Sequence, residues 1–434
     1  MSNRTNPIDR RELLAGLSAA AMTSALPSSP AAAFRVPMLR ARADTVALLP
    51  GEPESPVWAF DTATLRFSRS DRQEITFENG LPIPAVVNWR GISGARAAEP
   101  LLSQAAVAPG GNGGLEIPLR HAGTFLCDIR LLGDGAARPS RPLPLVVPES
   151  EPVAVDRDEF FLVEDWRLRP DGSAIAPVSQ AKDAQPSYTV NGLRSPDFTA
   201  RVNERLRFRF INGCQRSVIA LKLQAQEVRV MAIDGYPAEP FLARNNAFAV
   251  PPGGRVDAFV DVTSPPGSIS SVLLHDGREV RSVARLITSN DPPAREKALP
   301  TPLPLTSNDL PRLELKNASR FDLTSGGAGP DWIAPTKFAA SAPPAFRAKA
   351  GRTIVLALTN RAEIATVFHL HGHHFRLLDR LDDGWKPFWL DSLAIEPGQT
   401  QRIAFAAEFA GRWLIESGAA DWAAPRLLKW YSVE

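Results

Sequence analysis

The strongest constraint on this chain is a succession of short alternating segments set between prolines and glycines. In Leu206-Arg-Phe-Arg-Phe-Ile211, Leu206, Phe208 and Phe210 fall on one side and Arg207 and Arg209 on the other, as a strand of period two requires. Glu227-Val-Arg-Val-Met-Ala-Ile233 repeats the pattern and ends on the turn pair Asp234-Gly235; Val256-Asp-Ala-Phe-Val-Asp-Val262 is another such run. Shorter candidates precede them: Thr64–Phe67, Glu74–Phe77, Ala85–Trp89 and Gly123–Arg130. No stretch of fifteen or more residues keeps a capped 3.6-residue period, and 40 prolines with 29 glycines work against long helices. The expected fold class is therefore all-β, built from sandwiches.

Composition shifts divide the chain. Pro148-Glu-Ser-Glu-Pro152 separates a first block from a second, and a proline-rich linker over 291–311 precedes a third. The expected domains are 45–147, 153–290 and 312–434, each of a size that suits a β-sandwich. An internal echo supports repetition. Ala108-Pro-Gly-Gly111 precedes a strand and then Ala122-Gly-Thr-Phe125; Glu396-Pro-Gly398 precedes Arg402-Ile-Ala-Phe405 and then Ala410-Gly-Arg-Trp413. Pro252-Gly-Gly254 stands ahead of the Val256 strand in the middle block.

Charge excludes some functions. The formal net charge is +2, with no basic run, which argues against nucleic acid and against a polybasic membrane patch. Two cysteines are too few for a disulfide scaffold or a thiolate zinc site, and Cys127 and Cys214 are expected as buried free thiols. Residues 1–33 carry the adjacent Arg10 and Arg11, an uncharged stretch from Leu13 to Leu26, and Ala31-Ala32-Ala33. They are expected to be an export signal of twin-arginine type, with an ordinary secretory signal as the alternative, since Asp9 and Glu12 flank the arginine pair. Either signal would place the mature chain in the periplasm, and no other apolar run reaches membrane-spanning length.

Four of the six histidines fall within Phe368-His-Leu-His-Gly-His-His-Phe375. On a strand, His369, His371 and His373 project to one face, and neutral imidazoles at alternate positions are good ligands for copper or zinc. This run, with Val57-Trp-Ala-Phe60, Asn88-Trp-Arg-Gly-Ile92, Ala122-Gly-Thr-Phe125, Tyr188-Thr-Val-Asn-Gly192, Phe210-Ile-Asn212 and Ala232-Ile-Asp-Gly235, resembles the multicopper oxidases across nearly all of the mature chain. The resemblance implies three consecutive cupredoxin-like Greek-key β-sandwich domains, with a copper cluster between the first and the third.

The same resemblance argues against copper. Where the family has His-Trp-His-Gly, this chain has Asn88, Trp89, Arg90 and Gly91. The family's second His-x-His falls on Asp128, Ile129 and Arg130. In the third motif the leading histidine is Thr366, while His369 and His371 remain; the terminal His-Cys-His is Glu416, Ser417 and Gly418, followed by Trp422 and Leu427. Of the eight positions that would hold the three-copper cluster, two keep histidine. At the electron-accepting copper site, the positions are Thr366, Ser417, Trp422 and Leu427, without a thiolate.

The replacements suggest an ionic network. Arg90 and Arg130 supply fixed cations, Asp128 and Glu416 supply anions, and Asn88, His369 and His371 complete a set expected to join the first and third domains. Neither a catalytic residue nor a metal or other cofactor is expected. Copper, or a single iron, copper or zinc ion on His369, His371, Asp128 and Glu416, is the alternative. The expected role is binding, in the manner of a copper-free branch of the family that includes a periplasmic cell-division protein. Its partner would be a periplasmic protein or envelope component. A residual metal-dependent oxidoreductase is the competing expectation. The aromatic residues Trp385, Phe388, Trp389, Trp413, Trp422, Trp430 and Tyr431 are expected to pack the last sandwich, or else to form a partner surface.

Overall fold

The computed structural model describes residues 36–179, 183–308, 310–326, 332–379 and 384–434; the expected export signal lies outside them. Residues 37–434 make one compact unit. Among the described residues, strands dominate, and the helical elements are short 3₁₀ turns such as Arg96–Ala98. No helix of the described residues is long and apolar enough to cross a membrane.

Six sheets pair into three successive sandwiches of the cupredoxin kind. The first packs Ser55–Phe60, Met38–Val46, Ser70–Asn79 and Asn112–Leu119 against Leu65–Arg66, Leu143–Val147, Gly123–Asp128 and Asn88–Arg90. It begins earlier than residue 45, because Met38–Val46 pairs with both Ser55–Phe60 and Ser70–Asn79. The second is built around Arg157–Leu168, Arg205–Asn212 and Arg255–Asp261; the third around Thr353–Asn360, Thr366–Leu370, Gly411–Ala419 and Arg426–Val433. Each sandwich closes with the same parallel pairing of an early strand. Met38–Val46 runs beside Ser70–Asn79, Arg157–Leu168 beside Arg205–Asn212, and Ser319–Ser325 beside Thr353–Asn360.

A second repeat lies in side chains. The strands Ser70–Asn79, Arg205–Asn212 and Thr353–Asn360 all end on a buried asparagine. Asn79 Nδ2 donates to the carbonyls of Ile83 and Val107, both at 2.8 Å, while its Oδ1 accepts from Leu81 N at 3.0 Å. Asn212 makes the same three bonds with Ser217, Val250 and Cys214. Asn360 makes them with Ile364, Ile395 and Ala362. One amide thus serves three backbone groups at each sandwich corner, where the chain leaves a strand and its peptide groups have no ladder partner.

The cores are separate and aromatic. Phe77, Trp89 and Phe125 sit in the first, Phe161, Phe208 and Phe210 in the second, and Phe405, Trp413 and Tyr431 in the third. Alternation in Leu206–Ile211 is obeyed, yet both faces are buried. Arg207 pairs with Glu149 and Asp257, and Arg209 with Asp158, Asp257 and Thr124 of the first sandwich. Charged residues at alternate positions here mark a face between sandwiches, not a face toward water. Cys127 and Cys214 are free and buried, and burial pushes both thiols well above their ordinary range. Most of the aromatic group packs the third sandwich or its borders, but Trp385 stays 37% exposed.

Candidate functional site

Two cross-strand pairs bring the site together. Asn88 stands opposite Asp128 in the first sandwich, and His369 opposite Glu416 in the third. Tight turns aim these strands. Gly91 and Gly372 follow them with φ of 88° and 76°, and a Cβ there would lie 2.2 Å from Arg255 Nη2 and 2.3 Å from Trp413 respectively. Only glycine allows both the left-handed backbone and the close approach.

Glu416 is the hub. Its Oε1 accepts from Asn88 Nδ2 at 2.7 Å and contacts His371 Nε2 at 2.9 Å. Arg90 Nη2 donates to both oxygens, at 3.2 and 3.0 Å, and Arg426 Nη1 donates to Oε2 at 3.0 Å. Arg90 Nε reaches Asp128 Oδ2 at 3.2 Å, so one guanidinium links two carboxylates across the boundary between sandwiches. Burial alone would raise the Glu416 carboxyl, but Arg90, Arg426 and His371 hold it well below the usual range. Burial would likewise lower Arg90, but Glu416 and Asp128 raise it above its ordinary value.

His371 is held from both ends. Its Nδ1 lies 2.9 Å from Glu99 Oε1 and its Nε2 2.9 Å from Glu416 Oε1. Against the lowering effect of burial, Glu99 and Glu416 raise it to about 9, so near neutral pH it is an imidazolium donating from both nitrogens. Glu99 Oε1 also accepts from Leu414 N at 2.8 Å, which ties the first sandwich to the third a second time.

His369 differs. Its Nδ1 faces Ser392 Oγ at 2.9 Å, and Ser392 Oγ donates to Asp391 at 2.7 Å, so the proton sits on Nδ1. Burial, helped by the Arg90 charge, lowers its pKa to about 4, which keeps the ring neutral. Within the expected set, His369 is held by Ser392, with Asp391 at 3.5 Å from its Nδ1. Arg130 departs from expectation. Its Nε and Nη1 donate to the carbonyls of Ser140 and Gly213, at 2.9 and 2.6 Å, while only its backbone N reaches Asp128. Burial lowers its pKa, since no carboxylate is bonded to its guanidinium. A void of about 40 Å³ remains beside Arg90, His369, Glu416 and Arg426, room for about one water.

Of the other predicted positions, Thr366, Ser417 and Leu427 lie on strands of the third sandwich and Trp422 on the turn between its last two strands. Thr366 Oγ1 donates to Asn360 at 3.0 Å, tied into the corner of its own sandwich. Ser417 is buried, opposite Phe368 on one side and Leu427 on the other. Trp422 donates to the Ala176 carbonyl at 3.1 Å, with the Arg167 guanidinium 5.0 Å from its ring.

Sequence reasoning missed a second network beside the first. Arg255 binds both oxygens of Asp391, at 3.1 and 2.6 Å, and the carbonyls of Thr124 and Asp234. Asp234 Oδ2 accepts from Asp391 N at 3.1 Å; burial and the Asp391 charge raise its pKa to about 7. His374 continues the network: Nε2 contacts the Asp234 carbonyl at 3.2 Å and Nδ1 contacts Ser93 Oγ at 2.9 Å. Residues from all three sandwiches meet there. His373 is structural, accepting from Phe409 N and contacting Tyr431 Oη at 2.7 Å. Glu99, Arg255, Asp391 and Arg426 stand at no motif spacing from the histidines. A weak signal for Arg426 was its closeness in sequence to Glu416 on the adjoining strand.

Residues 312–428 match the family model described as "Multicopper oxidase". The curated relative "Multicopper oxidase MmcO" of Mycobacterium tuberculosis is 23% identical over 401 residues, covering 81% of this chain and 77% of the relative. A multi-copper oxidase from Pseudomonas thermotolerans superposes with a TM-score of 0.77 at 24% identity, over 92% of this chain and 98% of that one. Lac15 from a marine microbial metagenome gives 0.73 at 22% identity, over 92% and 100%. McoA from Aquifex aeolicus gives 0.74 at 15%, over 92% and 95%. At these identities the structural likeness speaks for the fold.

Proposed function

We propose that this chain is a member of the multicopper oxidase family and a non-catalytic, exported binding protein in which an ionic network stands where relatives of its fold hold copper. The observation that carries this reading is the saturation of Glu416. Asn88, Arg90, His371 and Arg426 all donate to its two oxygens, leaving little for a metal.

The remaining donors do not fit a copper cluster. Both nitrogens of His371 face carboxylates, and the Arg90 guanidinium lies between Asp128 and Glu416. A fixed cation there opposes a bound dication. Ser417 offers a hydroxyl where a blue-copper site needs a thiolate, and Thr366, Trp422 and Leu427 offer no imidazole or thioether. The network favours a fixed relation between sandwiches, since desolvation cancels most of the Coulomb gain. A fixed multi-sandwich body suits a scaffold in the periplasm whose partner is a protein or envelope component. Arg10 and Arg11 support the twin-arginine route.

A second reading rests on one feature. Donor atoms of His369, His371 and Glu416 lie within 4.8 Å of one another, and His369 Nδ1 is oriented by Ser392. A single metal-dependent oxidoreductase centre on these residues is the alternative, at the cost of breaking the His371 and Arg90 contacts.

Metal analysis of the mature chain purified from copper-supplemented cells, with oxidase assays on phenols and cuprous ion, tests the proposal. Substoichiometric metal and no turnover are expected. In a strain lacking the protein, the His369→Ala variant, which leaves the Glu416 contacts in place, should correct whatever envelope defect the deletion causes. Stoichiometric metal, with turnover lost in that variant, selects the second reading.

A further inference from the structure

Away from the network, a cleft of about 440 Å³ opens between the chain entering the third sandwich and that sandwich's Trp385 and Trp389. Its wall holds an unusual cation. Arg376 begins the strand Arg376–Leu377, and its guanidinium lies 4.7 Å from the Trp389 ring centroid and 5.6 Å from that of Trp385. Other buried guanidinium groups in this protein face carboxylates, as Arg90, Arg207, Arg209, Arg255 and Arg426 do, or make short carbonyl contacts, as Arg130 does. Arg376 faces no carboxylate among the described residues. Its one hydrogen bond is a long 3.4 Å contact to the Lys386 carbonyl, and its buried Nε has no partner.

Arg312 lies on the same cleft, exposed, and likewise has no ion pair among the described residues. The described lining residues include no carboxylate: they are Ser307, Asn308, Leu310, Pro311, Arg312, Leu313, Arg376, Trp385 and Trp389. Two guanidinium groups thus share a concave wall with two indoles, and one of these, Trp385, is still 37% exposed.

We propose that this cleft binds a small organic carboxylate with a planar apolar body, its carboxylate on Arg376 and Arg312 and its ring on Trp385. Three physical points lead there. A guanidinium fixed between aromatic faces loses little freedom when it grips an anion, and its fork matches a carboxylate's two oxygens. Burial already lowers the Arg376 pKa, and an incoming anion would relieve that penalty. The apolar wall of Leu310, Pro311 and Leu313 beside an open indole favours a flat hydrophobic body over a bare ion, and the cleft volume is in the range of small-molecule sites. None of these residues takes part in the Glu416 network, so the inference stands whether or not the copper-site reading does.

Isothermal titration of the full mature chain with 2-naphthoate tests it, with 2-naphthamide and inorganic phosphate as controls. Saturable 1:1 binding of 2-naphthoate is expected, with the neutral amide weaker by about tenfold or more, as the loss of a charge-assisted contact implies. Arg376→Met should weaken 2-naphthoate by at least a similar factor. Arg312→Gln, a surface change that leaves the melting temperature unaltered, should weaken it measurably too, and Trp385→Ala should erase the preference for the aromatic acid over acetate. The proposal is overturned by an absence of saturable binding, by equal affinity for the amide, by phosphate competing as well as the aromatic acid, or by unchanged affinity in both arginine variants.

Discussion

Glu416 Oε1 accepts a 2.7 Å hydrogen bond from the side-chain amide of Asn88, although 328 residues separate them. The bond crosses from the third sandwich to the first and joins two positions where the family resemblance implies copper-binding histidines. Arg90 and Arg426 crowd the same carboxylate, so a single anion offsets several buried positive groups.

Removing that anion should be costly. Glu416→Gln leaves Arg90, Arg426 and protonated His371 without their common counter-charge, and a loss of about 3–5 kcal/mol is expected for breaking a buried pair. The denaturant midpoint measures it. Glu416→Leu combined with Arg90→Met should cost less than the sum of the single changes, because both desolvated charges leave together.

Arg90 and Arg130 should behave differently. Arg90→Met takes a guanidinium from two buried carboxylates, Asp128 and Glu416, whereas Arg130→Met takes a donor from two carbonyls, of which that of Ser140 keeps Gln215 Nε2. Unpaired carbonyls cost about 1–3 kcal/mol each, and uncompensated buried charges cost more. Side-by-side melts should rank Arg90→Met as the more damaging. Equal effects would contradict the observed division of labour.

His371 should give the stability an alkaline limb. Its folded pKa, about 9, exceeds its ordinary 6.5. The folded state therefore holds the proton more tightly, so the contribution is complete below pH 6.5 and disappears as pH rises through about 9. Glu99 and Glu416 face the ring directly, and Arg90 reaches it only through Glu416. The melting temperature of the native chain minus that of His371→Gln, followed from pH 6 to 10, should shrink across this window. A flat difference would show that the imidazolium is not what the carboxylates hold.

The corner asparagines should be locally decisive. Asn360→Ala removes four side-chain hydrogen bonds and leaves the Ile364 and Ile395 carbonyls, the Ala362 N–H and the Thr366 hydroxyl to find other partners. A loss of about 1–3 kcal/mol is expected. Hydrogen exchange should show it concentrated in the third sandwich, and Asn79→Ala should shift the effect to the first.

Much of the architecture was legible from local pattern. Alternation in Leu206–Ile211 and the recurrent Pro-Gly turns marked strands and repeats, because side-chain direction in a strand depends only on the residue's position. The pairing of Arg90 with Asp128 and Glu416 was also foreseeable, since both carboxylates follow the same Ala-Gly-aromatic echo in their sandwiches. Glu99 and Asp391 were not legible: one sits on a loop after a 3₁₀ turn and the other on the approach to a short strand, with no period to point at the site.

The sequence alone determined which groups exist: an all-β chain of repeated sandwiches, with Asn88, Arg90, Asp128, Arg130, Glu416 and Ser417 at positions that the family resemblance marks. Tertiary structure decided how those groups are used. It set Arg209 on Thr124 of the first sandwich and Arg207 on Glu149 and Asp257, gave Arg130 to carbonyls and His369 to Ser392, and left Arg376 beside two indoles. The physical reason is range. Strand periodicity is set by neighbours along the chain, but a buried charge is satisfied by whatever dipole or ion the packing of distant segments brings within about 3 Å.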